Sequence, residues 1–152
     1  KEALMQELTD WSDRTLKTSE VPGSVDEFTE YLPRFFAAAD ENEALVRARL
    51  LSSVHRQIHL DARRRRNELV KKAMEDVTAQ LDPLDARRAC ALVRVLMHSG
   101  AWEMMRDNWD LTGEQAGEAS AWAIRVLVDE LRRNPNSIKE LFSTNSSSGE
   151  EE

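Results

Sequence analysis

Between Leu84 and Leu131 the chain carries apolar side chains at helical spacing on nearly every face, and almost no strand signal occurs anywhere along it. A helix that is apolar on two sides must be covered on two sides. The fold must therefore be all-α, and this helical pair needs more cover than a small monomer supplies. In its second member, Ala116, Ala119, Ala123, Val126 and Leu127 form one stripe, while Trp122, Ile124, Val128 and Leu131 form another. One stripe can face the chain's own core and the other a second copy. The alanine-rich stripe is the expected dimer interface, which makes self-association the first functional expectation.

Helical signals fill the remainder. Leu4, Leu8, Trp11 and Thr15 or Leu16 define a first helix that Val21, Pro22 and Gly23 end by turn chemistry. Ser24 and Glu27 have capping-box spacing ahead of Val25, Phe28, Leu32, Phe35 and Ala39, with a kink expected at Pro33. Asp40 and Glu43 repeat the cap spacing in front of Leu45, Val46, Ala48, Leu50 and Leu51. After a hesitation around Ser52, Ser53 and Val54, a charged helix is expected over about residues 58 to 80, buried through Ala62, Leu69, Ala73, Met74 and Val77. Asp82 and Pro83 mark a stop and a restart. A single helix then runs from Leu84 to about Trp109, about 39 Å long if unbroken, with a bend at Ser99 and Gly100. Thr112 and Gln115 cap the last major helix, Asn134, Pro135 and Asn136 end it, and Ile138, Leu141 and Phe142 make a short terminal turn.

At 152 residues the chain has the size of one domain that can bury a core without disulfides or metals. The lone Cys90 lies in an apolar run and reads as a buried thiol, in keeping with a cytoplasmic protein. No run approaches the roughly 18 to 20 uncharged residues of a membrane span, so no membrane partner is expected. With 28 acidic against 21 basic side chains and a net charge of -7, the chain is a poor electrostatic match to DNA. Lys1 opens straight into a helical pattern, so a segment upstream is expected; residues 143–152 read as a disordered acidic tail after a domain spanning 1–142.

Enzyme motifs are absent: there is no glycine-rich phosphate loop, nucleophile elbow, cysteine pair or His-Glu-x-x-His, and no cofactor is expected. His55 and His59 stand four residues apart as metal ligands would, but only Asp61 could join them, and it points elsewhere on the same helix. The alternatives are polar groups in a ligand cavity, or solvated or core histidines. His98 lies alone among apolar residues, as a hydrogen-bonded histidine in a buried helix or an interface residue. Arg63, Arg64, Arg65 and Arg66 fan around a helix and make no single basic stripe, so they read as a solvated face. Methionine and aromatic side chains are plentiful and can either fill a core or line an apolar ligand cavity.

The order of elements resembles the effector-binding and dimerisation domain of the TetR family of bacterial one-component transcriptional regulators. The segment Lys1-Glu2-Ala3-Leu4-Met5-Gln6-Glu7-Leu8 is similar to the family's Lys-x-x-Leu run, which follows the helix-turn-helix. The stretch Leu81-Asp82-Pro83-Leu84-Asp85-Ala86-Arg87-Arg88-Ala89, continued through Trp102 and Asp110-Leu111-Thr112-Gly113-Glu114-Gln115-Ala116, resembles the family's last two helices and the turn between them. The resemblance implies a homodimer built on a four-helix interface and a small apolar or amphipathic effector. It also implies operator DNA, bound by a helix-turn-helix unit upstream, most simply in a repressor. Trp11, Phe35, Leu51, His55, Met74, Met97 and Trp102 are the expected effector-binding residues, with His55 as the polar contact and the first helix as the lever. The rival expectation is an all-helical dimeric protein-interaction module with no small-molecule pocket; a helical metalloenzyme using His55 and His59 is the remaining one.

Overall fold

The computed structural model describes residues 11, 14, 15, 22–51 and 60–143, with the side chains of 60–62 and 143 set aside. Expectations for the first helix beyond Trp11, Arg14 and Thr15, for His55 and His59, and for the acidic tail lie outside the described residues. Among the described residues the helices are, in order, α1 (Val25–Glu41), α2 (Glu43–Leu51), α3 (Leu60–Ala73), α4 (Glu75–Thr78), α5 (Pro83–Leu96), α6 (Ser99–Trp109), α7 (Gly113–Arg133) and α8 (Ser137–Ser143). No described residue lies in a strand, as expected of an all-α fold. No helix among them is long and apolar enough to cross a membrane.

Local chemistry explains the starts of α5 and α7. The Asp82 carboxylate accepts from the backbone N–H groups of Leu84 (2.9 Å) and Asp85 (3.0 Å), and Pro83 occupies the first turn, where its missing N–H costs nothing. At α7 the Thr112 hydroxyl accepts from Gln115 N while the Gln115 side chain accepts from Thr112 N, a complete capping box. The α1 start departs from expectation. Ser24 makes no bond to the helix N–H groups; instead Glu27 reaches back to accept from Gly23 N (2.8 Å) and from the Ser24 hydroxyl (3.1 Å).

Three further departures concern continuity. The expected helix over residues 84–109 is two helices: α5 ends at Leu96, and His98 starts α6 by accepting the Gly100 N–H on its Nδ1 at 2.9 Å. A side-chain acceptor one residue ahead of Ser99 and Gly100 opens a new helix there rather than bending the old one. The charged helix is likewise interrupted at Met74, where the helix resumes as α4. Met74 and Val77 are buried as expected, Val70 joins them, and Leu69 is exposed. Asp40, finally, lies inside the last turn of α1 and does not cap α2.

The spine of the bundle is α1 packed along α7. Gly113, Ala116, Gly117, Ser120, Ala121, Ile124, Val128 and Leu131 form the buried face of α7. Its N-terminal half is nearly free of side chains, and the two backbones touch: a Cβ on Gly113 would stand 2.1 Å from the carbonyl oxygen of Phe36. Two apolar clusters flank this line. The larger joins Phe28, Leu32, Val70, Met74, Val93, Ile124 and Leu131; the smaller joins Phe36, Ala39, Val46, Trp102 and Ala116. Burying each large side chain contributes about 1.5–3 kcal/mol.

The face of α7 is thereby redrawn. Ala116 is fully buried within the chain and is not an outer residue, while Trp122, expected on the same stripe as Ile124 and Val128, points away from them and is 70 % exposed. At 100° per residue, Trp122 lies about 160° from Ile124, so the stripe that holds Ile124, Val128 and Leu131 cannot also hold the indole.

Candidate functional site

Two regions organise the surface and its support. The first is a polar clamp around Trp102. The ring of Trp102 is fully buried, and its Nε1–H donates to Asp40 Oδ1 at 2.8 Å. Arg106 Nη1 donates to that same oxygen at 2.7 Å, and the backbone N–H of Gly113 donates to Asp40 Oδ2 at 2.7 Å. One carboxylate at the end of α1 therefore caps α7, anchors the indole of α6 and pairs with a guanidinium. An anion at a helix N-terminus is favoured by the exposed N–H groups and by the helix dipole.

Around this centre Glu43 accepts from Arg106 (3.1 Å) and from Arg47 (2.8 Å), and Arg47 also reaches Glu103 (3.2 Å) and Asp107 (2.6 and 2.9 Å). Arg47 and Arg106 lie over the Trp102 ring with their guanidinium carbons 5.5 and 6.0 Å from its centroid. The hydrogen bond from Arg47 holds the Asp107 carboxyl below the usual carboxylate range, and the same bond raises Arg47. The clamp ties α1, α2, α6 and α7 into one unit.

The second region is the outer face of α5 and α7, which pack side by side. Leu84, Leu92 and Val95 of α5 and Trp122 and Val126 of α7 are exposed. Ala119, Trp122, Ala123 and Val126 recur at three- and four-residue spacing on α7, with the two alanines half-buried at the stripe's edge. Leu127 is half-buried and packs against the larger core cluster instead.

The expected effector-binding residues do not meet in one place. Trp11 is 51 % exposed and Leu51 is 81 % exposed. Met74 and Met97 are buried in the larger cluster, Trp102 is buried in the smaller one, and Phe35 borders both. His55 lies outside the described residues. A shallow cleft of about 240 Å³ opens elsewhere, between the start of α1 and the end of α7, beside Asp26, Thr29, Arg125, Asp129 and Arg132. None of the seven expected residues lines it. Cys90 is half-buried, and burial pushes its thiol up, away from the reactive thiolate. No group of three or more metal-ligating side chains occurs among the described residues.

Sequence reading overlooked three residues. Two glycines four apart in a helix, Gly113 and Gly117, each cost about 1 kcal/mol against alanine, a signal that another backbone must come close. Asp40 had the right chemistry for a cap, but its partner is 73 positions away and no local spacing reveals it. No family model matches the chain, and neither a curated protein nor a solved structure matches it.

Proposed function

We propose that the chain is the effector-binding and dimerisation domain of a TetR-type transcriptional regulator, associating as a two-fold dimer through the outer faces of α5 and α7. Operator contact is assigned to a helix-turn-helix unit outside these residues. The observation that carries the reading is Trp122: a large indole, 70 % exposed at the middle of the longest described helix and about one turn from the exposed Val126, on a helix that packs against α5. Covering such side chains contributes about 1.5–3 kcal/mol each, and in a two-fold interface every residue counts twice. The Trp102 clamp supports the reading by making α6 and α7 rigid together with α1, so a shift of one element is carried to the others.

Sedimentation of the purified chain tests the interface. The chain is expected to be a dimer at micromolar concentration, and Trp122→Glu is expected to weaken it by at least about tenfold while leaving the thermal melt of the monomer in place. A chain that is monomeric throughout, or a Trp122→Glu dimer of unchanged affinity, overturns the reading. One observation favours the rival, a dimeric interaction module without a small-molecule cavity: Met74 and Trp102 are fully buried in separate filled clusters. Native mass spectrometry separates the two, since a dimer that retains a small molecule excludes the rival.

A further inference from the structure

The cleft of about 240 Å³ opens between the start of α1 and the end of α7, the two helices that form the spine of the bundle. Val25 and Val128, both buried, give it an apolar lining. Charges of both signs stand around them: Asp26 of α1 and Asp129 of α7, against Arg125 and Arg132 of α7. These four formal charges cancel, in a chain whose net charge is -7.

The arrangement is the reverse of the Trp102 clamp, where carboxylates and guanidiniums meet one another. Among the described residues, the side chains of Asp26, Arg125 and Asp129 make no hydrogen bond or ion pair. Arg125 and Asp129 are four residues apart on α7, but in the order that pairs less well on a helix, basic before acidic, and they do not bridge. Arg132 donates through Nη2 to Asp76 at 3.0 Å, which holds the guanidinium while its other N–H groups stay open. The Thr29 hydroxyl donates to the Asp26 carbonyl oxygen at 2.8 Å, so its own oxygen is left as an acceptor. Acceptors and guanidinium donors thus line one apolar recess.

One exposed ion pair contributes little, so a ligand with a single charge gains little here and faces charges of its own sign. A ligand with both charges engages both sets of groups at once. We propose that the cleft binds a small zwitterion of the amino-acid kind. Its carboxylate lies on Arg125 and Arg132, its ammonium on Asp26, Asp129 and the Thr29 oxygen, and its aliphatic part against Val25 and Val128. Guanidinium forks match a carboxylate, and the three N–H donors of an ammonium match carboxylate and hydroxyl acceptors. The volume equals that of about eight waters at ~30 Å³ each and falls below the roughly 300 Å³ of the smallest drug-sized pockets, which suits one small molecule and not a peptide. Arg125 lies one turn beyond Trp122 on α7, so the bound molecule would join α1 to the helix that carries the dimer face. The proposal rests on the sensor reading only in making this molecule the effector; binding in the cleft is measured apart from dimerisation.

NMR of the full chain, following the methyl groups of Val25 and Val128 and the Arg125 Nε–H, provides the test. The probes are L-valine and 5-aminopentanoate, zwitterions with their charges close together and far apart, and butylamine and pentanoate, which carry one charge each. At concentrations up to about 10 mM, tenfold above a millimolar Kd, at least one zwitterion is expected to give saturable shifts at all three groups. Both single-charge compounds are expected to bind at least about tenfold more weakly. Arg125→Gln and Asp129→Asn should each weaken the zwitterion at least about tenfold, the loss of one charge-assisted pair. Melting should not change, because neither side chain has a partner to lose among the described residues. Butylamine is expected to bind Arg125→Gln no more weakly than the parent, a split that a general loss of structure would not produce. Shifts with neither zwitterion, unchanged zwitterion affinity in either variant, or a single-charge compound that binds as tightly as the zwitterions overturns the site. If the parent sediments as a monomer and a zwitterion still binds, the site stands and the dimeric sensor falls. If the parent is a dimer and no zwitterion binds, the site alone falls.

Discussion

A methyl group on Gly117 would stand 2.4 Å from the carbonyl oxygen of Leu32 and 2.5 Å from Cα of Pro33, both backbone atoms of α1. Alanine is the better helix former by about 1 kcal/mol, but a backbone neighbour cannot turn aside as a side chain can, so the clash outweighs the propensity. Gly117→Ala is expected to lower stability by about 2 kcal/mol or more, read as a fall in the denaturant midpoint at unchanged slope. Asp40 is the other residue on which several elements depend. Asp40→Asn removes the charge that Arg106 pairs with and turns an N–H toward a group that also donates, Gly113 N or Trp102 Nε1. A loss of about 2 kcal/mol is expected by the same measurement. A variant as stable as the parent would show that the clamp merely follows the packing of Trp102.

At the scale of elements, the junction between α5 and α6 is the sensitive point, because its cap is titratable. His98 must be unprotonated at Nδ1 to accept the Gly100 N–H, and its pKa is held below the ordinary value by burial and by Arg94, Arg66 and Arg63. A base whose folded pKa is depressed contributes stability that is fully present above its unfolded value, near 6.5, and is lost as pH falls through the lowered folded value. In buffer free of multivalent anions, the melting temperature is therefore expected to fall as pH drops below about 6.5. His98→Asn, which keeps a capping oxygen and does not titrate, should show a smaller fall over that interval. Equal slopes in the two proteins would remove His98 from the pH response.

For the whole molecule, two copies that each carry a formal charge of -7 repel one another, while the face proposed to join them is apolar. Dimerisation is expected to strengthen as ionic strength rises from about 0.01 to 0.15 M, the range over which the screening length falls from about 30 to 8 Å. Weakening with salt would point to an interface built on charge pairs instead. The sequence alone determined that the chain is helical, where α5 and α7 begin, and that Met74, Ile124, Val128 and Leu131 are buried. Those facts follow from caps, proline placement and periodicity, all of which act within a few residues. Only the tertiary structure decided that Ala116 faces inward and Trp122 outward, that Asp40 caps a helix 73 residues away, and that α5 and α6 are separate. The division has one physical cause. Hydrophobic periodicity reports that a face is covered but not by what, whereas the donors that reach a carboxylate such as Asp40 are fixed by whichever distant element the core brings beside it.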